Sequence, residues 1–188
     1  MPQEFSPLQV LDWTPSADLT PVGEVVLVVL DVAPGPDHDA QVARVEALVA
    51  GCRDAGVPVV FARTMTGPAA SVPAAPGLAD RPEEYVVRRH RHSAFYGTEL
   101  DLVVHGYGAQ TVLLAGGTTD VSVHYSLVDA HQLDHHIRCV ADLVTGTNPE
   151  LHEAALRAIK YLQRDALVTT AAVETWLAGR RTPEEQTA

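Results

Sequence analysis

Runs of aliphatic and β-branched residues, each followed by a segment with helical spacing, recur along this chain. The clearest is E-V-V-L-V-V-L-D over 24–31, continuous and aliphatic, as a strand buried on both faces of a parallel sheet should be. Shorter runs over 57–63, 85–87, 111–115, 135–142 and 166–170 predict further strands. Between them, Val42, Val45, Leu48 and Val49 fall at helical spacing over 40–55, and Gly56 closes the segment. Thr98 is placed to cap a helix over 99–106, Asn148 and Pro149 open one over 150–162, and a short helix is expected over 171–178. Strands alternating with helices imply a three-layer α/β/α sandwich around a Rossmann-like parallel sheet of about six strands.

One domain over 1–188 accommodates all of this, with no internal repeat. Residues 1–23, rich in proline, read as an N-terminal arm lying on the surface or on a partner subunit. The polar tail over 179–188 is expected to fray. The stretch 64–84, rich in proline, alanine and glycine, is long for a connection, so it is a candidate lid or interface.

The stretch 110–130 reads Q-T-V-L-L-A-G-G-T-T-D-V-S-V-H-Y-S-L-V-D-A. A buried strand runs into the glycine pair Gly116 and Gly117, where the backbone can bend sharply or approach a ligand. Thr118, Thr119 and Asp120 are good N-cap residues for a helix that follows. Ser122 therefore falls in a first helical turn at the carboxyl end of a central strand. Free N–H groups and the positive end of a helix dipole gather there. Ligands of open α/β sheets bind along that edge.

Composition narrows the partners. The net charge of −11 argues against nucleic acid or an anionic membrane surface. Cys52 and Cys139 sit in unrelated contexts and read as buried thiols. No apolar run has membrane-spanning length, and the N-terminus lacks the pattern of a secretion signal. The cytoplasm is the expected location.

Asp31, Arg89 and Ser122 each fall at or just past the end of a predicted strand. A carboxylate, a guanidinium and a hydroxyl would then meet at one edge of the sheet. Spacing alone also allows a bland assignment: a helix cap, a solvated charge and a first-turn serine. Three segments go further. R-H-S-A-F-Y-G-T-E-L-D, G-G-T-T-D-V-S-V-H-Y-S-L-V-D-A and N-P-E-L-H-E-A-A-L-R-A-I-K, together with the first strand, resemble the isochorismatase-like hydrolases, also called cysteine hydrolases. The resemblance covers about 24–175.

That family uses an aspartate, a lysine and a cysteine. The aspartate matches Asp31, the lysine falls at Arg89 and the cysteine at Ser122. A glutamine often follows two residues after the aspartate, where this chain has Ala33. The resemblance also implies a cis peptide near Gly117–Thr118 and an oxyanion hole from the N–H groups of Thr118 and Ser122. It implies a homodimer or larger homo-oligomer acting on a small molecule, with no organic cofactor. Phe95, Tyr96, Gly117 and Thr118 are the expected substrate-binding residues, and His152 matches a histidine of the late helix.

The two replacements change the chemistry expected. A thiol ionises near neutral pH with a modest push, whereas a serine hydroxyl needs a well-placed base. Arginine stays protonated and cannot be that base. His124 is two residues from Ser122 on a helix, and His90 and His92 alternate with Arg89 along a strand, so all three are expected to face away. Asp31 is left as the acid/base, Arg89 as an electrostatic clamp, and Ser122 as a positioning group or weak nucleophile. The bond cut is a vinyl ether C–O, with Asp31 donating a proton, or an amide C–N. The alternative is a pseudoenzyme, a binding or assembly subunit without turnover. Asp37, His38 and Asp39 suggest the zinc set of the nicotinamidases only loosely, so no catalytic metal is expected. His131, Asp134, His135 and His136 read as straddling a helix end and the next strand.

Overall fold

Strand β1 (Glu24–Leu30) is buried along its whole length after Glu24 and forms the middle of the sheet. The computed structural model describes residues 13–32, 39–67, 70 and 74–180. Around β1 lie β2 (Val59–Thr64), β3 (Tyr85–Arg89), β4 (Ala109–Gly116), β5 (His136–Val140) and β6 (Leu167–Val168). All five pairings are parallel, and the order is β3-β2-β1-β4-β5-β6. This is a doubly wound sheet whose order reverses between β1 and β4.

Side-chain alternation along the strands builds one core on each face. Val26, Val28 and Leu30 of β1 join Val112 and Leu114 of β4 on one side. Val25, Leu27 and Val29 join Leu113 and Ala115 on the other. Helices α2 (Leu100–Gly106), α3 (His124–Gln132) and α4 (Pro149–Leu162) cover the first face through Leu100, Leu127 and Leu156. Helices α1 (Asp39–Asp54) and α5 (Thr170–Arg180) cover the second through Val45 and Val173. The expected three-layer sandwich is therefore the observed one. Cys52 and Cys139 lie in opposite cores, and burial pushes both thiols up to about 12, which leaves them neutral and inert.

Local expectations held to within a few residues. Asn148 caps α4 by accepting the Leu151 N–H at 2.9 Å, with Pro149 in the first turn. Thr98 Oγ1 accepts the Leu100 N–H at 3.2 Å. Others differ. The strand expected over 85–87 continues to Arg89. Gly179 and Arg180 belong to α5 rather than to a frayed tail, and residues 181–188 lie outside the described residues. The described part of the arm packs on its own chain. Ser16 bridges to Val168, and the Thr20 carbonyl accepts from the buried Arg138.

The described part of the 64–84 connection is anchored to α1. Arg53 donates from Nε and Nη2 to both Glu84 oxygens at 2.7 Å, and from its other N–H groups to the Gly77 and Ala79 carbonyls. Both side chains are about nine-tenths buried. Burial alone would raise the Glu84 pKa; Arg53 and the Arg81 N–H outweigh it and leave the carboxyl below its usual value. A lowered carboxyl pKa stabilises the fold above the unfolded value, about 4.5, and that stabilisation is lost as pH falls. Glu84→Gln is expected to cost about 3–5 kcal/mol near neutral pH. The difference from the native chain should shrink below pH 4.5, read by urea denaturation across the pH range.

Candidate active site

Asp31 leaves β1 at the carboxyl edge of the sheet and accepts from Thr64 and Arg89. The Thr64 N–H lies 3.0 Å from each carboxylate oxygen, and Arg89 Nη2 lies 2.6 Å from Oδ2. Arg89 closes β3 and is 6% exposed. Its Nη1 donates to the carbonyls of Arg91 and His92 at 2.9 and 3.0 Å, so the chain beyond the strand curls around the guanidinium. The guanidinium therefore holds Asp31 and its own loop.

The glycine pair after β4 is required by geometry. Gly116 and Gly117 have φ of +78° and +69°, a region that penalises other residues. A Cβ on Gly117 would lie 2.8 Å from Ser122 Oγ and 2.9 Å from Leu30 Cβ. The helix does not start at once. Residues Thr119–Val123 form a π-helical turn, and α3 begins at His124. Such wide turns are frequent at functional sites. Ser122 is buried in this turn. Its Oγ accepts the Thr118 N–H at 3.2 Å and makes a long contact, 3.5 Å, to the Thr118 carbonyl.

The turn is fastened to the segment before α4. The Thr119 N–H donates to the Thr145 carbonyl at 3.0 Å, and Thr119 Oγ1 meets His152 Nδ1 at 2.8 Å. Asp120 accepts from Thr147 N and Oγ1 at 2.8 and 2.7 Å. Burial works against its charge, but the two Thr147 bonds prevail and hold its carboxyl below the usual value. Asp120 is thus a brace for the neighbouring loop and not the helix cap expected.

One cavity of about 790 Å³ is lined by Asp31, Thr64, Arg89, His90, Arg91, His92, Gly117, Thr118 and Ser122, with Thr145–Thr147 and other residues completing it. The three residues singled out from strand ends share it, as do Gly117 and Thr118. Phe95 and Tyr96 do not line it. Phe95 is packed in a core cluster with its ring 5.8 Å from that of His135, and Tyr96 is 67% exposed. The Gly117–Thr118 peptide is trans, not cis. His90 and His92 do face the cavity, because strand alternation stops at Arg89 and the following residues turn. Asp37 and His38 lie outside the described residues. Among the cavity residues missed from sequence, Arg91 and Thr145–Thr147 lie in loops that no local pattern marks, whereas Thr64 closes β2 and its strand-end position could have found it.

The architecture defines a doubly wound α/β protein with a ligand-sized cavity at the point where strand order reverses. Residues 28–173 match the isochorismatase domain, and the chain belongs to that family. It is 33% identical over 84 residues to the ureidoacrylate amidohydrolase RutB of Methylobacterium radiotolerans, covering 44% of this chain and 33% of that protein. It is 34% identical over 79 residues to the maleamate amidohydrolase of Pseudomonas putida, covering 42% and 37%. These matches span well under half the length of the relatives. The structure resembles an isochorismatase family protein from Burkholderia thailandensis with a TM-score of 0.69 and 25% identity, over 86% of this chain and 98% of that one. No helix among the described residues is long and apolar enough to cross a membrane.

Gly117→Ala should destabilise the chain by about 1–3 kcal/mol through the positive φ alone. The new methyl would also displace the Ser122 hydroxyl. A matched Gly67→Ala change, with nothing within 4 Å of its added carbon, isolates the backbone cost. Urea denaturation of the two variants should show the larger loss at Gly117.

Proposed function

We propose that the protein is a hydrolase of small amides that carry a carboxylate, with Asp31 as the acid/base. The observation that carries this is the sign of the cavity. In a chain of net charge −11, the described lining holds two guanidinium groups, Arg89 and Arg91, against one carboxylate, Asp31. Arg91 is exposed and its Nη1 holds only the His90 carbonyl, whereas both Nη atoms of Arg89 are engaged, by Asp31 and by the Arg91 and His92 carbonyls. Arg91 is therefore the cation that receives the substrate carboxylate, and Arg89 holds Asp31 rather than the substrate. Ureidoacrylate and maleamate, named in two relatives, are amide-type compounds bearing a carboxylate.

In this reading water attacks the amide carbon, and Asp31 takes its proton. The carbonyl π electrons move onto oxygen, which the Thr118 N–H receives in place of Ser122 Oγ. Asp31 then returns the proton to the leaving nitrogen as the C–N bond breaks. Ser122 positions the water, since no histidine bonds to its hydroxyl among the described residues. Vinyl ether cleavage fits less well. It needs Asp31 to donate a proton first, and among the described residues each hydrogen-bond partner of Asp31 is itself a donor. The same saturation favours a second reading, a subunit that binds such acids without turnover.

Ammonia release from amides of short dicarboxylic acids separates the readings. Turnover by the native chain is expected. Asp31→Ala should lower kcat/KM by about 10²–10⁴, and Ser122→Ala should lower it less. Arg91→Ala should raise KM with little change in kcat. No turnover by the native chain, with activity appearing in Ser122→Cys/Arg89→Lys, would establish the binding subunit instead. Turnover of enol ethers but not amides would overturn the C–N assignment.

A further inference from the structure

Away from the cavity, two imidazoles converge on one carboxylate. Asp101 and His105 stand one helical turn apart on α2 and share a face. His135, in the connection from α3 to β5, reaches them. His135 Nε2 lies 2.7 Å from Asp101 Oδ1, and His105 Nδ1 lies 3.3 Å from the same oxygen and 2.8 Å from the Asp101 carbonyl. The imidazole ring centroids are 5.1 Å apart. One ligand atom from each of the three residues lies within 4.8 Å of the others. Only His135, of the four residues grouped from sequence, belongs to this cluster; its partners come from α2.

We propose that Asp101, His105 and His135 form a binding site for a divalent transition-metal cation of the zinc class. Two imidazole nitrogens and a carboxylate oxygen are the ligand types such ions take, at bonds of about 2.0–2.2 Å. Bonds of that length in a tetrahedron separate ligand atoms by about 3.3 Å. The His105–Asp101 distance already has that value, and the His135–Asp101 contact needs to open by roughly 0.6 Å. The carboxylate and the carbonyl only accept, so the two imidazole nitrogens donate to them in the metal-free arrangement. On binding, each nitrogen offers its lone pair to the metal, and its proton moves to the other ring nitrogen or to solvent. His135 is 5% exposed and rigidly seated, since its own N–H bonds the Ala130 carbonyl at 3.0 Å and its ring meets Phe95. His105 is largely exposed, which leaves the ion a fourth position open to water. His135 stands at the amino edge of the sheet, opposite the cavity, so the ion would pin α2 to the α3–β5 connection and take no part at Asp31.

The test is calorimetric titration of the chelator-treated full chain with zinc chloride, with cobalt chloride as a spectroscopic probe. One zinc per chain is expected, with affinity falling as pH is lowered because protons compete for the imidazoles. His105→Ala removes an exposed side chain and should leave the fold intact. It should weaken that binding by at least about tenfold and abolish the strong visible absorption of tetrahedral cobalt. His131→Ala, on the neighbouring helix, should leave both unchanged. Zinc binding that is unaltered in His105→Ala, or no binding at 100-fold molar excess, would overturn the site.

Discussion

The carboxylate of Asp31 ties three strand ends together. It sits at the end of β1, accepts the Thr64 N–H at the end of β2, and is gripped by Arg89 at the end of β3. Backbone pairing registers the strands up to Thr64 and Arg89, while twist splays the side chains that leave their ends. Here one partly buried ion pair is added to the backbone pairing of the three strands, and it sets the shape of the cavity beside it. Arg89 in turn fixes the carbonyls of Arg91 and His92, which brings this rim of the cavity into place. Arginine at this position is a multi-donor fork that organises a loop, and it has no capacity to exchange a proton.

The second half of the site depends on backbone rather than charge. Two left-handed glycines let β4 turn sharply past Leu30, and the five-residue π turn then sets Ser122 under the Thr118 amide. The turn borrows its rigidity from elsewhere. Thr119 and Asp120 are held by Thr145, Thr147 and His152, all contributed by the approach to α4. The two halves meet through Ser126, whose hydroxyl receives the Ala94 N–H and donates to the Ser122 carbonyl.

Strand order, layers and the edge that carries the site were legible because they follow from hydrophobic continuity and the handedness of crossovers. Asp31, Arg89 and Ser122 were legible because each lies at the end of a strand or in the turn that follows one. The misread features share a cause. His90 and His92 were assigned by extending a two-residue period beyond the point where β3 stops, and Phe95 was taken for a pocket residue though the same turn buries it. Asp120 looks like a cap in any local window, and only its distant partner Thr147 reveals the brace. The Asp101–His105–His135 grouping joins residues 34 apart, so helical spacing shows only one of its two links.

The N-terminal arm has a meaning for how the molecule avoids its neighbours. β6 is a two-residue strand at one margin of the sheet, and such margins invite strands from other chains. Ser16 lies along it, donating its N–H to the Leu167 carbonyl and accepting the Thr169 N–H. Those hydrogen-bonding groups are already spent. Extension of the sheet by a foreign strand is thereby steered to the β3 margin, where the charged side chain of Arg88 projects into solvent and discourages it.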